Sequence, residues 1–346
     1  MSSAEPRFTT RARSGLVNDI RVSRLTLADA NDVEGVLGNL AFGPWRSFEA
    51  SPDRRVGYWI DDIRSVLSRS GATSFLARRG GTTAGLATFA EQPWETRVLN
   101  RRMAEIRHLA AVTESRERSA VLERLLEEVL RHAESEGVAC LAHRPYANDA
   151  PCVRALERSG FRLVDTLLDC SYDFDGAVEP PALPSIPEVR IRLGGPEDVS
   201  GLVDVARHAF GGFFGRFHSD ERIPGASAIR VYEEWIRSCV EGWADWVLVA
   251  ESRGVIVGYS AWKRPTELES RHGIALGHYS IGAVHPSHSA RGLFRALTAE
   301  GMRLLAGRVE RIEGPTHVNN VSVQRAYADL GWRVSDARHG FHRWLS

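Results

Sequence analysis

The chain has 346 residues, long for one domain and ample for two, with 43% apolar and 25% charged residues, an ordinary soluble globular composition. Its 44 basic residues balance 44 acidic ones, so no global field draws it to nucleic acid or to an acidic membrane surface. No apolar run approaches the ~20 residues of a membrane span. The four cysteines, Cys140, Cys152, Cys170 and Cys239, form no C-x-x-C pair and have no His at zinc-ligand spacing. They read as small buried hydrophobes in a reducing, cytoplasmic protein.

Residues 1–19, opening MSSAEPRFTTRARSG, are polar and basic with no apolar segment behind them, so they read as a flexible tail and not as a secretory signal. TSFLARRGGTTAGLATF (73–89) is two alternating apolar runs around a glycine turn, a β-hairpin. HLAAVTESRERSAVLERLLEEVL (108–130) is a strand, a polar turn and an amphipathic helix, with Leu122, Leu125, Leu126 and Leu130 at helical spacing. YANDAPCVRALERSGF (146–161) is a turn, a short helix and a Gly-aromatic entry into a closing strand, FRLVDTLLDCSYDF. The Pro-rich stretch 174–188, FDGAVEPPALPSIPE, lacks periodicity and reads as a linker.

Beyond it the same elements return. WVLVAESRGVIVGYSAW (246–262) matches the hairpin, pairing Ala250 with Ala77 at an offset of 173 (250 − 77). YSIGAVHPSHSARGLFRALTAEGM (279–302) matches the strand–turn–helix, pairing Val284 with Val112 at an offset of 172. HVNNVSVQRAYADLGW (317–332) matches the short helix, pairing Asn319, Arg325, Ala326 and Gly331 with Asn148, Arg154, Ala155 and Gly160. Three blocks in one order at nearly one offset predict two copies of one α/β fold: 20–174 and 189–346, joined by a linker at 175–188.

The copies differ where chemistry would sit. A helix N-terminus offers unpaired N–H groups and a positive dipole end, which suit a phosphate. The second turn, HPSHSARGLF, has Gly292 for close approach, with Arg291 and Arg295 for charge. The first, TESRERSAVL, has Ala120 in place of Gly292, Glu114 in place of Pro286, and Glu117 and Glu123 around it. Three carboxylates would repel an anion. The second turn is therefore either a capped connector or a pyrophosphate cradle, whereas the first can only be a connector. Likewise Tyr327 stands where the first copy has Leu156, and Asn320 where it has Asp149. Tyr327 either packs as a Leu would or gives a proton to a leaving group.

These residues resemble the GCN5-related N-acetyltransferase (GNAT) superfamily. Its loop V-x-P-x-x-[QR]-x-x-G-x-[GA] is matched by Val284, Pro286, Arg291 and Gly292, with Ser289 and Phe294 as departures. Its later pattern is matched by Asn320, Val323, Tyr327, Gly331 and Trp332. The resemblance is clear over 189–346 and weaker over 20–172. It implies two tandem GNAT-like domains, each a mixed sheet flanked by helices, with a degenerate first copy and a catalytic second one. The stretches FGRFHSDERIPGASAIRVYEEWIRSCV (214–240) and EQPWETRVLNRRMAEIRHL (91–109) further resemble the dTDP-fucosamine acetyltransferases and their relatives.

The resemblance implies acetyl-CoA as co-substrate, no metal, and a small amine acceptor, first of all a nucleotide-linked aminodeoxysugar. A mycothiol-precursor-like aminosugar, an aminoglycoside or a protein amine is the alternative; so is a non-catalytic CoA-binding module. No nucleic acid or membrane partner is expected, and a homodimer is left open. Amides around Gly282, Ala283 and Val284 would polarise the thioester. Those of Ala290, Arg291, Gly292, Leu293 and Phe294 would hold the diphosphate beside Arg295, with Asn320 on the cofactor side. Tyr327 would protonate the departing thiolate. Arg216, His218 and Asp220 fall on the expected acceptor side. His278, Tyr279, His317 or a water relay would take the amine proton. Trp94, Trp235 and Trp262 serve either as core or for stacking on a base.

Overall fold

The computed structural model describes residues 19–25, 33–38, 52–112, 115–174 and 186–345. The expected tail up to residue 18, most of the expected linker (175–185), and Thr113 and Glu114 of the first turn lie outside them.

The first half runs β1 (Ile20–Leu25), α1 (Glu34–Gly38), α2 (Pro52–Leu67), β2 (Ala72–Arg79), β3 (Thr82–Glu91), α3 (Pro93–Leu99), β4 (Met103–Ala111), α4 (Ser115–Ser135), β5 (Cys140–His143), α5 (Ala150–Arg158) and β6 (Arg162–Asp173). The second runs β7 (Val189–Leu193), α6 (Val199–Phe210), α7 (Arg216–Ser219), α8 (Gly225–Ser238), β8 (Trp246–Ser252), β9 (Val255–Lys263), α9 (Glu267–Arg271), β10 (Leu276–Val284), α10 (Leu293–Leu305), β11 (Arg311–His317), α11 (Val321–Asp329) and β12 (Arg333–Trp344). Both hairpins turn through two residues of positive φ, Gly80–Gly81 (54° and 84°) and Arg253–Gly254 (51° and 81°), the geometry that matches strand twist.

All twelve strands form one sheet, in the order β1-β2-β3-β4-β5-β12-β6-β11-β10-β9-β8-β7. The closing strands are exchanged. β12 pairs antiparallel with β5 of the first half, and β6 pairs antiparallel with β11 of the second. β6 and β12 also pair with each other, and Leu167 lies opposite Arg338. Those two residues are 171 apart (338 − 167), the repeat offset at the chain's closing blocks, so a local two-fold passes between them. The cores are exchanged too. Phe341 of β12 packs with Leu122, Leu125, Leu156 and Phe161, while Cys170 of β6 packs with Tyr327, Trp332, Met302 and Ile312.

Two local features recur in both halves. β4 and β5 pair in parallel only over Met103–Glu105 and then diverge; β10 and β11 do so only over Leu276–His278. Each first strand of these pairs also carries a bulge, with Arg107 unpaired in β4 and Ser280 in β10. The offset is again 173 (280 − 107). A bulge bends a strand and re-aims its side chains, so each half presents a splayed slot beside a bulge. No helix among the described residues is long and apolar enough to cross a membrane.

The exchange makes a direct prediction. Residues 186–346 expressed alone lack β6, which leaves the facing edges of β11 and β12 unpaired. This fragment should show no cooperative thermal transition by circular dichroism. A transition at the full-length midpoint would contradict the pairing.

Candidate functional site

A cavity of about 490 Å³ opens on the slot of the second half and continues across the local two-fold to β4 and β5. On the second-half wall, the bulge residue Ser280 accepts a hydrogen bond from Trp235 Nε1 at 3.2 Å. Gly282 has no side chain, and a Cβ there would lie 1.9 Å from the Tyr279 hydroxyl. The glycine is therefore what lets Tyr279 fold along its own strand. The Tyr279 ring meets Trp262 edge-on at 4.9 Å and Tyr327 at 6.2 Å. Tyr327 stacks on Trp332 at 4.5 Å, and its hydroxyl lies against Gly314.

Both the Tyr279 and Tyr327 hydroxyls are buried, and among the described residues neither has a hydrogen-bond partner. Burial pushes both pKa values up, and for Tyr327 the neighbouring Tyr279 adds to it. Each hydroxyl thus keeps its proton at neutral pH. Buried polar groups without partners are uncommon in native proteins, and these two lie together at one cavity wall. Phe294 turns inward, with its ring 6.0 Å from Tyr327 and 6.3 Å from Tyr279. Its bulk therefore faces the cavity and not the turn that precedes it. Asn320 precedes α11 and lines the same cavity, accepting from Ser322 Oγ at 3.1 Å.

The turn itself is held from within. His285 Nδ1 accepts the Ser287 N–H at 3.2 Å, and Pro286–His288 form a single 3₁₀ turn. Ala290 (φ 61°) and Gly292 (φ 77°) then adopt left-handed conformations, and Gly292 precedes α10 without any side-chain cap. Such alternation bends successive N–H groups toward one concavity. A Cβ on Gly292 would meet nothing nearer than Arg295 Nη2 at 3.9 Å, so the approach is open. Arg291, Gly292 and Arg295 border a second cavity of about 470 Å³. Arg291 is exposed, whereas Arg295 is neutralised by Asp329 at 2.9 Å. Leu293 is buried in the core under α10. Gly282, Ala283 and Val284 pair with Ser260, Tyr259 and Gly258 of β9. Past His278 their other edge faces the splay, where alternate amides lack a ladder partner.

Other residues singled out in the sequence are placed differently. Arg216 lines the cavity, but its guanidinium is bound to Glu95 of α3. His317 lines it too, yet its Nδ1 accepts the Asn319 N–H at 3.1 Å. Burial lowers its pKa, so the neutral ring carries its proton on Nε2 and has no lone pair free to act as a base. His278 lies outside the lining and binds the buried Glu269 at 3.0 Å. His218 is also outside it, stacked on Tyr232 at 5.6 Å. Asp220 is buried behind the wall. It accepts from Trp344 Nε1 at 2.8 Å and holds His342 Nδ1 at 2.6 Å, anchoring the end of β12. Trp262 is core and Trp94 donates to Ser238, while Trp235 alone of the three lines the cavity. Sequence reasoning missed Ser280, Arg338 and the first-half residues Glu105, Arg107, Arg144 and Asp165. The signal was available: Glu105 and Arg107 share a strand on which apolar residues are expected.

The first half fills its own slot. Asp62 of α2 accepts from Arg107 Nε and Nη2, at 3.0 and 2.9 Å, and pairs with His108 Nε2 at 2.9 Å. Burial opposes its charge, but the His108 and Arg107 hydrogen bonds outweigh that and hold the carboxyl well below its usual range. Asp62 stands 173 residues before Trp235 (235 − 62), so a charge pair replaces the Trp235–Ser280 contact. Arg118 bound to Asp149 at 2.5 Å, with Leu156 in the place of Tyr327, completes the filling. Asp204, His208 and His285 bring ligand-type atoms within 4.8 Å of one another at the surface, but His285 Nδ1 is already engaged in the turn.

A substitution isolates the Tyr279 fold-back. Gly282→Ala should destabilise by about 1–3 kcal/mol through overpacking, and adding Tyr279→Phe should recover part of the loss. Denaturant unfolding of both variants checks this; no recovery would mean the hydroxyl is not what the glycine accommodates.

No protein-family profile matches the chain. It is 22% identical over 272 residues to the spore coat polysaccharide biosynthesis protein SpsD of Bacillus subtilis (strain 168), covering 75% of this chain and 84% of that one. Its structure overlays a GCN5-related N-acetyltransferase from Sphaerobacter thermophilus with a TM-score of 0.61 at 15% identity, over 94% of this chain and 96% of the other. A tandem GNAT protein from the clavulanic acid biosynthesis pathway overlays with a TM-score of 0.56 at 14% identity, over 94% and 99%. The divergent parallel strands, the bulge beside them and the strand–turn–helix, each present twice, are thus the fold of the GCN5-related N-acetyltransferases in its tandem form.

Proposed function

We propose that the chain is an acetyl-CoA-dependent N-acetyltransferase whose second half carries the reaction and whose acceptor is an aminosugar. The observation that carries this reading is the buried, protonated Tyr327 hydroxyl in the wall of the second-half cavity, without a partner among the described residues. The left-handed Ala290–Gly292 turn at the uncapped start of α10 fits a diphosphate. The two orphaned tyrosine hydroxyls fit a thioester end beside the bulge. Bound there, acetyl-CoA would supply an activated acetyl group.

The protein's own residues do the rest. Free amides on the open edge of β10 stabilise the charge that develops on the carbonyl oxygen. Tyr327 gives up its proton from Oη to the leaving sulfur. Holding both reactants in one cavity supplies alignment, the main requirement for direct attack by an amine. With His278 outside the cavity and His317 engaged through Nδ1, water is the carrier for the amine proton. The acceptor side offers Phe210, Phe213, Tyr232 and Trp235 as apolar faces opposite a polar wall, an arrangement suited to a sugar ring. The name of the Bacillus subtilis relative, a polysaccharide biosynthesis protein, supports a sugar as well. A nucleotide-linked aminodeoxysugar and a free aminosugar are the two forms to compare. Four buried, free cysteines support a reducing, cytoplasmic setting.

Tyr327→Phe is the test. The hydroxyl has no partner, so its removal should leave the melting temperature unchanged or slightly raised. Turnover should fall about a hundredfold while acetyl-CoA affinity stays. Unchanged turnover by product mass spectrometry over a panel of aminosugars would sink the acid role. Acetyl-CoA binding without turnover of any amine by the unmodified protein would favour a CoA-binding module instead.

A further inference from the structure

The cavity does not stop at the second half. Its far wall belongs to β4, β5 and β12, and four arginines face it: Arg107, Arg144, Arg216 and Arg338. Each is already neutralised. Arg107 holds Asp62, Arg144 holds Asp165 at 2.9 and 3.3 Å, Arg216 holds Glu95, and Arg338 holds Asp169 at 2.7 and 2.5 Å. Glu105 is the fifth carboxylate in this set. Among the described residues it reaches only Arg107 Nη1, at 3.8 Å, too long for a hydrogen bond. Each of the other four carboxylates accepts a hydrogen bond from its arginine, whereas Glu105 accepts none from any described side chain. The Glu105 side chain is a third exposed, and its partial desolvation raises its pKa, with Glu95 adding and Arg107 and Arg216 opposing. A cation placed beside it would recover that cost.

Position decides which end of a ligand Glu105 can touch. In the sheet β4 lies five strand spacings from β10, on the order of 20 Å. Glu105 is therefore out of reach of an amine meeting the Ser280–Tyr327 end.

We propose that the acceptor is an extended, phosphate-free oligosaccharide of amino sugars lying across both halves, with one amine at the Ser280–Tyr327 end and a second, distal ammonium bound by Glu105. The assignment of the reacting end rests on the acetyltransferase reading; the binding does not. A nucleotide diphosphate would find every guanidinium on this wall already paired, and the Glu105 carboxylate besides.

The test uses the full chain without acetyl-CoA, so that binding is read apart from turnover. Isothermal titration compares glucosamine with its β-1,4-linked dimer and trimer, in the unmodified protein and in Glu105→Gln. The unmodified protein should bind the trimer at least about tenfold more tightly than glucosamine. Glu105→Gln should lose that gain while keeping its affinity for glucosamine and its melting temperature. The glucose trimer, which has no amines, should show no Glu105-dependent gain. No gain with length, a gain that survives Glu105→Gln, or the same gain for the glucose trimer would overturn the proposal. Length-dependent binding with no acetylated product once acetyl-CoA is added would uphold this site and defeat the acetyltransferase reading instead.

Discussion

The antiparallel pairing of β6 with β12 is the contact on which the rest of the molecule depends. It joins two six-strand units into one sheet, and it sets each closing strand beside the other half's splayed pair. β5 keeps its antiparallel neighbour from the second half and β11 from the first. Because those partners hold β5 and β11 in place, β4 and β10 can diverge from them after three residue pairs, leaving an open inner edge on each. Divergence makes the slots, and the slots give the cavity its two ends. Phe341 and Cys170, buried in the opposite cores, tie side-chain packing to the same exchange.

Within that frame the halves have opposite characters because of a few substitutions at equivalent positions. In the second half the slot is bordered by groups that keep unmet hydrogen-bonding capacity: two tyrosine hydroxyls and open backbone amides. In the first half, Asp62 holds Arg107 and His108, Asp149 holds Arg118, and these side chains occupy the space. The outer rim of that slot still presents Glu105 and Arg107 to the shared cavity. The first half thus combines a filled slot with a specific polar wall.

Much of this was legible in the sequence where the signal is local. Alternating runs around Gly81 and Gly254 gave hairpins, and the leucine spacing from Leu122 to Leu130 gave a helix. The bare turn at Gly292 has the left-handed backbone that such a turn requires. What could not be read was long-range. β6 and β12 carry the same pattern, so nothing local says which sheet each joins. Asp220 and His342 are 122 residues apart (342 − 220), and their hydrogen bond is invisible from either segment. His278 sits on the correct strand but not on the cavity, because the bulge at Ser280 changes which residues face it. Phe294 departs from the small residue of the resembled loop, and its ring simply points the other way, toward Tyr279 and Tyr327.

The central claim is that one slot receives the cofactor and the other does not. Hydrogen–deuterium exchange with and without acetyl-CoA measures this most directly, since amides that take up a bound diphosphate or carbonyl exchange more slowly. The account predicts slowed exchange over residues 280–296, at the bulge, the turn and the start of α10, and no change over residues 107–125 of the first half. Protection at β4 and α4, or none anywhere at saturating acetyl-CoA, would contradict it.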